Sequence, residues 1–278
     1  MTHLNFAGTT INLSTPKVMG ILNVTPDSFS DGGQYLSLEK AIAQAESMVE
    51  QGASFIDIGG ESTRPGADAV DLEEESRRVL PVIEGLKQRD LPAVISIDTS
   101  KPELMKRAVE AGAGLVNDVN ALQAPTALDV VANLKVPVCL MHKQGEPRTM
   151  QQDPQYNNVV EDVCQFLQER VGACAKSGIK KQNIIIDPGF GFGKTLDQNL
   201  SLLKHLLRLA ALDLPVLVGV SRKSMFGTLL DRPVEERLSA SIAAAYAALS
   251  AGASIIRVHD VEQTMDAIKV FSAIANAD

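Results

Sequence analysis

Short apolar runs alternate along the chain with longer segments of helical spacing. The runs ILNV, FIDIG, AVISID, GLVND, PVCLM, NIIID, PVLVGV and SIIRV end near Leu22, Ile58, Ile97, Val116, Leu140, Ile186, Val218 and Ile256. Their apolar character is nearly continuous, which predicts parallel strands covered on both faces. After them, apolar positions three and four apart predict helices over 38–51, 72–87, 102–111, 127–134, 159–176, 196–209, 234–250 and 261–275. Several of these end on glycine before a small residue and a new strand, as at Gly52, Gly112, Gly178 and Gly252. Glycine just past a helix accepts the left-handed turn that closes it, so these positions mark helix-to-strand turns.

Eight strand-helix alternations without a Pro/Gly/Ser-rich linker predict an α/β fold of one (β/α)8 TIM barrel. The barrel is expected over 16–278, behind an N-terminal extension over 1–15. Within the extension, residues 4–13 alternate around Gly8 and suggest a short hairpin over the barrel's N-terminal mouth. A doubly wound open sheet is the runner-up. The length of 278 residues suits one barrel, which commonly needs about 250.

Composition narrows the function classes. With 45% hydrophobic and 22% charged residues the chain can bury a large core, which excludes a disordered or low-complexity protein. A balance of 26 basic against 34 acidic residues, net −8, argues against a nucleic-acid footprint or a polybasic membrane patch. An anionic ligand would therefore need a local cationic cluster. Three cysteines without paired spacing, Cys139, Cys164 and Cys174, describe neither a disulfide framework nor a zinc site. The start of the chain lacks signal-peptide character and no apolar run is long enough to span a bilayer, so a cytoplasmic protein is expected.

Barrel chemistry gathers on the loops that follow the strands. Here those positions carry Asn23, then Glu61 to Arg64, Asp98, Asn117 with Asp118, His142, Asp187, Ser221 to Lys223, and Arg257 with His259. Each has a plain structural reading: Asp98 or Asp187 could cap a helix, Asn117 could end a strand and His142 could be a satisfied histidine. Together they favour a site. Asp98, Asn117 and Asp187 are compact and acceptor-rich, and Lys223 is a long donor, a set suited to a flat heterocycle such as a pterin or purine. Arg257, His259 and Asn23 suit a diphosphate with Mg2+. The loops VTPDSFSDGG (24–33) and GESTRPGA (60–67) have the length and make-up of lids. The segment DPGFGFGKT from Asp187 superficially evokes a phosphate loop, but Pro188 stands where a Walker motif needs glycine. Its glycines are expected to let the chain approach a ligand, with Phe192 as a packing surface and Lys194 near the rim.

These residues carry a specific resemblance. MGILNVTPDSFSDGG, FIDIGGESTRPGA, ISIDTSKPE, NDVNAL, LMHKQGEPRTMQ, IIDPGFGFGKT, GVSRKSMFG and RVHD occur in this order from about Val18 to Asp260, and the chain resembles the bacterial dihydropteroate synthases of the pterin-binding barrel family. One departure is Lys143, where an apolar residue is expected at the pocket edge. The resemblance implies condensation of 6-hydroxymethyl-7,8-dihydropterin diphosphate with 4-aminobenzoate to 7,8-dihydropteroate in folate biosynthesis. It implies a pterin site of Asp98, Asn117, Asp187 and Lys223 with Met141 and Phe192 packed on the ring. Thr63, Arg257 and His259 would bind the diphosphate, and Asn23 would contact Mg2+. Aminobenzoate would lie near Phe29, Thr63, Arg64, Pro65, Phe192 and Ser221, with sulfonamides as competitors. A homodimer is also implied, and the small-residue helix 238–249 offers one close-packing face.

A dissociative route follows from the chemistry, because a methylene on an electron-rich pterin can lose diphosphate to leave a delocalised cation. On this reading Arg257, His259 and Mg2+ stabilise the leaving group, Asp98 supports the cation, and Asp27, Asp31 and Arg64 position aminobenzoate. The rival readings are a Schiff-base aldolase using Lys223, a pterin-dependent methyltransferase and a non-catalytic pterin binder.

Overall fold

The computed structural model describes residues 3–25, 33–62, 70–146 and 149–277. Strands β1 (His3–Phe6) and β2 (Thr9–Asn12) pair antiparallel as a hairpin. Its turn uses Gly8 at φ 102°. Eight parallel strands follow: β3 (Lys17–Asn23), β4 (Phe55–Gly59), β5 (Val94–Asp98), β6 (Leu115–Asp118), β7 (Val138–Met141), β8 (Ile184–Asp187), β9 (Leu217–Val218) and β10 (Ile255–Val258). Their order is β8-β7-β6-β5-β4-β3-β10-β9, and a parallel bridge from Ile186 to Val216 joins the two ends into a ring. The barrel expectation holds, and the open sheet is excluded by that closure.

Strand side chains alternate between the inside of the ring and the helices outside. The outward set, including Val18, Leu22, Ile56, Ile58, Ile97, Val116, Leu140, Ile186, Val218 and Ile256, forms one core with the surrounding helices. The inward set begins with one apolar residue from each strand: Met19, Phe55, Val94, Leu115, Cys139, Ile185, Leu217 and Ile255. Leu4, Phe6 and Leu13 close this layer from below. Phe6 meets Phe55 edge to face with ring centroids 5.1 Å apart, so the hairpin does cap the N-terminal mouth. Two residues further along the strands the inward positions turn polar, at Asp57, Ser96, Asn117, Asp187 and Arg257. The barrel is thus sealed at one end and charged at the other.

Helices α2 (Leu72–Gln88), α3 (Pro102–Ala111), α4 (Ala127–Leu134), α5 (Val159–Lys176) and α10 (Val261–Ala275) lie where the periodicity puts them. Asp71 and Asn158 cap α2 and α5, and Thr195 with Gln198 forms a capping box on α6 (Leu196–Lys204). Three segments differ from expectation. Helix α1 (Gly33–Glu50) starts before the apolar pattern does. The helix expected over 196–209 breaks after α6 and resumes as α7 (Leu207–Ala210), because tighter i to i−3 bonds at Leu206 and Arg208 turn Leu206 and Leu209 inward. The helix expected over 234–250 is a short 3-10 turn at Val234–Glu236 after Pro233, then α9 (Leu238–Ser250). Helix α8 (Ser224–Leu230), a half-buried piece of seven residues, had no sequence signal long enough to read. Among the described residues no helix is long and apolar enough to cross a membrane.

Candidate active site

Every described member of the expected rim lies at the C-terminal end of a barrel strand or just after it. Asn23 ends β3, Asp98 ends β5, Asn117 lies in β6, and Met141 and Asp187 end β7 and β8. Phe192 follows β8, Ser221 and Lys223 follow β9, Arg257 lies in β10 and His259 follows it. Asp27, Phe29, Asp31, Thr63, Arg64 and Pro65 fall outside the described residues.

The centre of the site is an ionic knot that sequence reading missed. Asp57, fully buried in β4, accepts hydrogen bonds from Ser96 Oγ at 2.5 Å, Asn117 Nδ2 at 2.9 Å and Arg257 Nε at 2.6 Å. Arg257 Nη2 reaches Asp98 Oδ2 at 2.8 Å. A buried charge needs a partner and filled hydrogen-bonding positions, and this arrangement meets both needs. Two carboxylates on Arg257 hold its guanidinium charged against the opposing pull of burial. Burial pushes the Asp98 carboxyl up to about 7 against the pull of Arg257, and the charge of Asp57 adds to the rise. The available signal was an acid inside FIDIG, a run otherwise apolar on both faces.

Asp187 is also buried, and burial pushes it up to about 6, although the Gly189 N–H donates to it at 2.7 Å. Lys223 Nζ lies 4.3 Å from the centroid of the Phe192 ring, a cation-π contact on the same rim. Across it, the Ser221 hydroxyl accepts from His259 N–H at 3.2 Å and lies 3.0 Å from His259 Nδ1. The two loops are tied together by Arg222, held at φ 53°, whose guanidinium grips Asp260 with two bonds at 2.9 and 2.5 Å. Arg222 is therefore an anchor of the rim.

Other expectations need correction. Lys194 lies behind the rim and does not open onto it: it is 2% exposed and donates to Gly189 O and Phe192 O at 2.8 and 3.1 Å. His142 is likewise internal, with Nδ1 3.0 Å from Lys194 Nζ and its ring against Phe166 and Tyr156. Gly189 and Gly193 approach a protein loop: a Cβ on either would collide with His142 O or Gln144 O. Asp118 is structural, its carboxylate accepting from Asn120 and Leu122 N–H at 2.8 and 2.7 Å. Lys143 Nζ lies 3.3 Å from Glu146 Oε2. Lys101 bonds both Glu61 and the buried Glu75 at the foot of the second loop, a cluster with no sequence signal because its members lie 14 to 40 residues apart.

Asn23 Oδ1 and Asp98 Oδ2 converge above Gly59, where a Cβ would lie 3.8 and 3.7 Å from them. Asp98 Oδ2 is already engaged by Arg257, which leaves the Asn23 amide oxygen as the hard donor here, in keeping with the few protein ligands Mg2+ takes. Among the described residues no three His, Cys, Asp or Glu side chains gather into a metal cage.

A profile of the family described as pterin binding enzyme matches residues 19–259. The chain is 53% identical over 267 residues to a dihydropteroate synthase of Haemophilus influenzae, covering 96% of this chain and 97% of that one. Dihydropteroate synthase of Xanthomonas albilineans with 4-aminobenzoic acid matches with a TM-score of 0.94 and 50% identity over 100% of this chain and 99% of that one. The Yersinia pestis synthase with a sulfonamide drug complex matches with a TM-score of 0.94 and 49% identity over 99% and 100%.

Proposed function

The chain belongs to the pterin binding enzyme family, as one of its dihydropteroate synthases, and from that premise we propose how its rim divides the work. The reaction transfers a dihydropterinylmethyl group from 6-hydroxymethyl-7,8-dihydropterin diphosphate to the amine of 4-aminobenzoate. The observation that carries the assignment is the Asp57-Arg257-Asp98 knot with Asn117 on its flank and Asp187 beside it. Asp98, Asn117, Asp187 and Lys223 read the polar edge of the pterin, and Met141 and Phe192 cover its faces. Arg257 keeps Nε and Nη2 on the carboxylates, which leaves Nη1 for the diphosphate beside His259 and Thr63.

The methylene-oxygen bond breaks with its electron pair leaving on the diphosphate, and the cation is delocalised into the pterin. The aminobenzoate nitrogen then forms the new carbon-nitrogen bond and releases a proton to diphosphate or water. No protein nucleophile is needed. Asp98, half-buried and paired with Arg257, favours the cation at the moment it forms when its carboxylate is ionised. Phe29, Thr63, Arg64, Pro65, Phe192 and Ser221 make the aminobenzoate end, which sulfonamides would contest, and Asp27 and Asp31 with Arg64 position the amine for attack. Asn23 would hold a Mg2+, which would supply positive charge to the diphosphate oxygens.

We divide the chain into an extension over 1–15 and a barrel over 16–278, and we read the enzyme as a cytoplasmic homodimer. Three free buried cysteines suit a reducing compartment. Binding of the pterin diphosphate by calorimetry tests the site: Asp98→Ala and Lys223→Ala abolish it, while Arg64→Ala chiefly raises the aminobenzoate KM. Full pterin binding by the first pair overturns the assignment.

A further inference from the structure

Lys194 belongs to the DPGFGFGKT segment, and none of the roles above uses it. Its surroundings are those of a built internal contact. The ammonium sits among three acceptors: Gly189 O at 2.8 Å, Phe192 O at 3.1 Å and His142 Nδ1 at 3.0 Å. Two of these are carbonyl oxygens, which only accept, and a lysine ammonium has three protons to give. A charged Lys194 that gives its third proton to His142 Nδ1 requires a neutral His142 with its hydrogen on Nε2.

The atoms that Lys194 holds lead straight to the pterin end of the site. Gly189 donates its N–H to Asp187, and Phe192 carries the ring beneath Lys223. The same segment is fastened at its other points, with Gly191 N–H on Asn199 Oδ1 at 2.8 Å, Gly191 O on Gln151 and Gly193 O on Tyr156 Oη at 2.8 Å. It lies so close to the 142–144 loop that a Cβ at Gly189 or Gly193 has no room. Lys194 reaches into that contact as a buried side chain.

We propose that Lys194 is a positioning residue for the pterin: its ammonium binds the 189–193 turn to His142 and so sets where Asp187 and Phe192 meet the ring. This inference rests on the dihydropteroate synthase reading for the identity of the ligand. It predicts that Lys194→Gln, with one proton donor group too few, weakens binding of the pterin diphosphate by about tenfold to a hundredfold. The aminobenzoate KM at saturating pterin rises less, by about threefold at most, because Phe192 is the one aminobenzoate residue carried on the 189–193 turn.

The test has two arms on the full chain. In the first, calorimetric Kd for the pterin diphosphate and KM for aminobenzoate are compared between the wild type and Lys194→Gln. A folded variant with wild-type pterin affinity, or with both substrates weakened alike, overturns the proposal. The second arm needs no variant that folds: 15N NMR of the wild-type histidines below neutral pH reads the His142 tautomer. A neutral ring with bare Nδ1 is expected, perturbed by the pterin diphosphate but not by 4-aminobenzoate alone. A proton on Nδ1, or a ring indifferent to the pterin, overturns it. Wild-type turnover of the two substrates judges the functional reading separately, since the tautomer is independent of that reading.

Discussion

Replacing Asp57 with Asn keeps the shape of the side chain and removes one of the two negative charges on Arg257. With charge centres about 4 Å apart and an effective dielectric near 20, the lost attraction is about 4 kcal/mol. Relief of repulsion between Asp57 and Asp98, which bond the same guanidinium, returns about 3 kcal/mol for an assumed separation on the order of 6 Å. The net cost to stability is then about 1 kcal/mol, or about 2 to 4 °C in Tm for a chain of this size. The larger effect falls on Asp98, which Asp57 and burial together hold near 7. Without the Asp57 charge its carboxyl ionises about one pH unit lower or more. Pterin diphosphate affinity measured by calorimetry across pH should therefore show its acid limb displaced downward in Asp57→Asn, with only a small loss of Tm. A limb that stays where the wild type has it would refute the coupling, and so would a collapse of Tm without any displacement.

Asp187 offers the opposite balance of stability and function. Its pKa of about 6 lies above the ordinary 3.8, so the unfolded chain releases the proton first, and this group's contribution to stability falls as pH rises through that interval and levels above about 6. Asp187→Asn, which can still accept from Gly189, should melt at or above the wild-type temperature above about pH 6 while losing about a hundredfold in pterin affinity; a lower Tm there would contradict the sign. Phe6→Ala removes a buried ring from the closed end of the barrel and should cost about 3 to 5 kcal/mol by denaturant unfolding, with both KM values unchanged in the folded protein. A shift of either KM would show that the hairpin communicates with the rim.

Much of this architecture is legible because parallel strands buried on both faces write themselves as apolar runs, and glycine marks the turns between helix and strand. The rim was legible from the same pattern, since Asp98, Asp187 and His259 stand just where each run stops. What escaped lies inside the pattern or across it. Asp57 and Ser96 sit within strands and differ from their neighbours only in facing the ring, a distinction that period-two alternation reveals once the faces are known. Lys194 and His142 are 52 residues apart and meet only because two loops cross. The break between α6 and α7 depends on which leucines find the core, and a helical spacing of leucines is compatible with either course.

The central claim is that this rim joins a pterin methylene to an arylamine with loss of diphosphate. Diphosphate release on mixing 6-hydroxymethyl-7,8-dihydropterin diphosphate with 4-aminobenzoate, with each omitted in turn, tests it most directly. Rapid release should require both, with at most a slow background from the pterin alone as the cation meets water. No release from the complete mixture, or a full rate without aminobenzoate, would contradict the account.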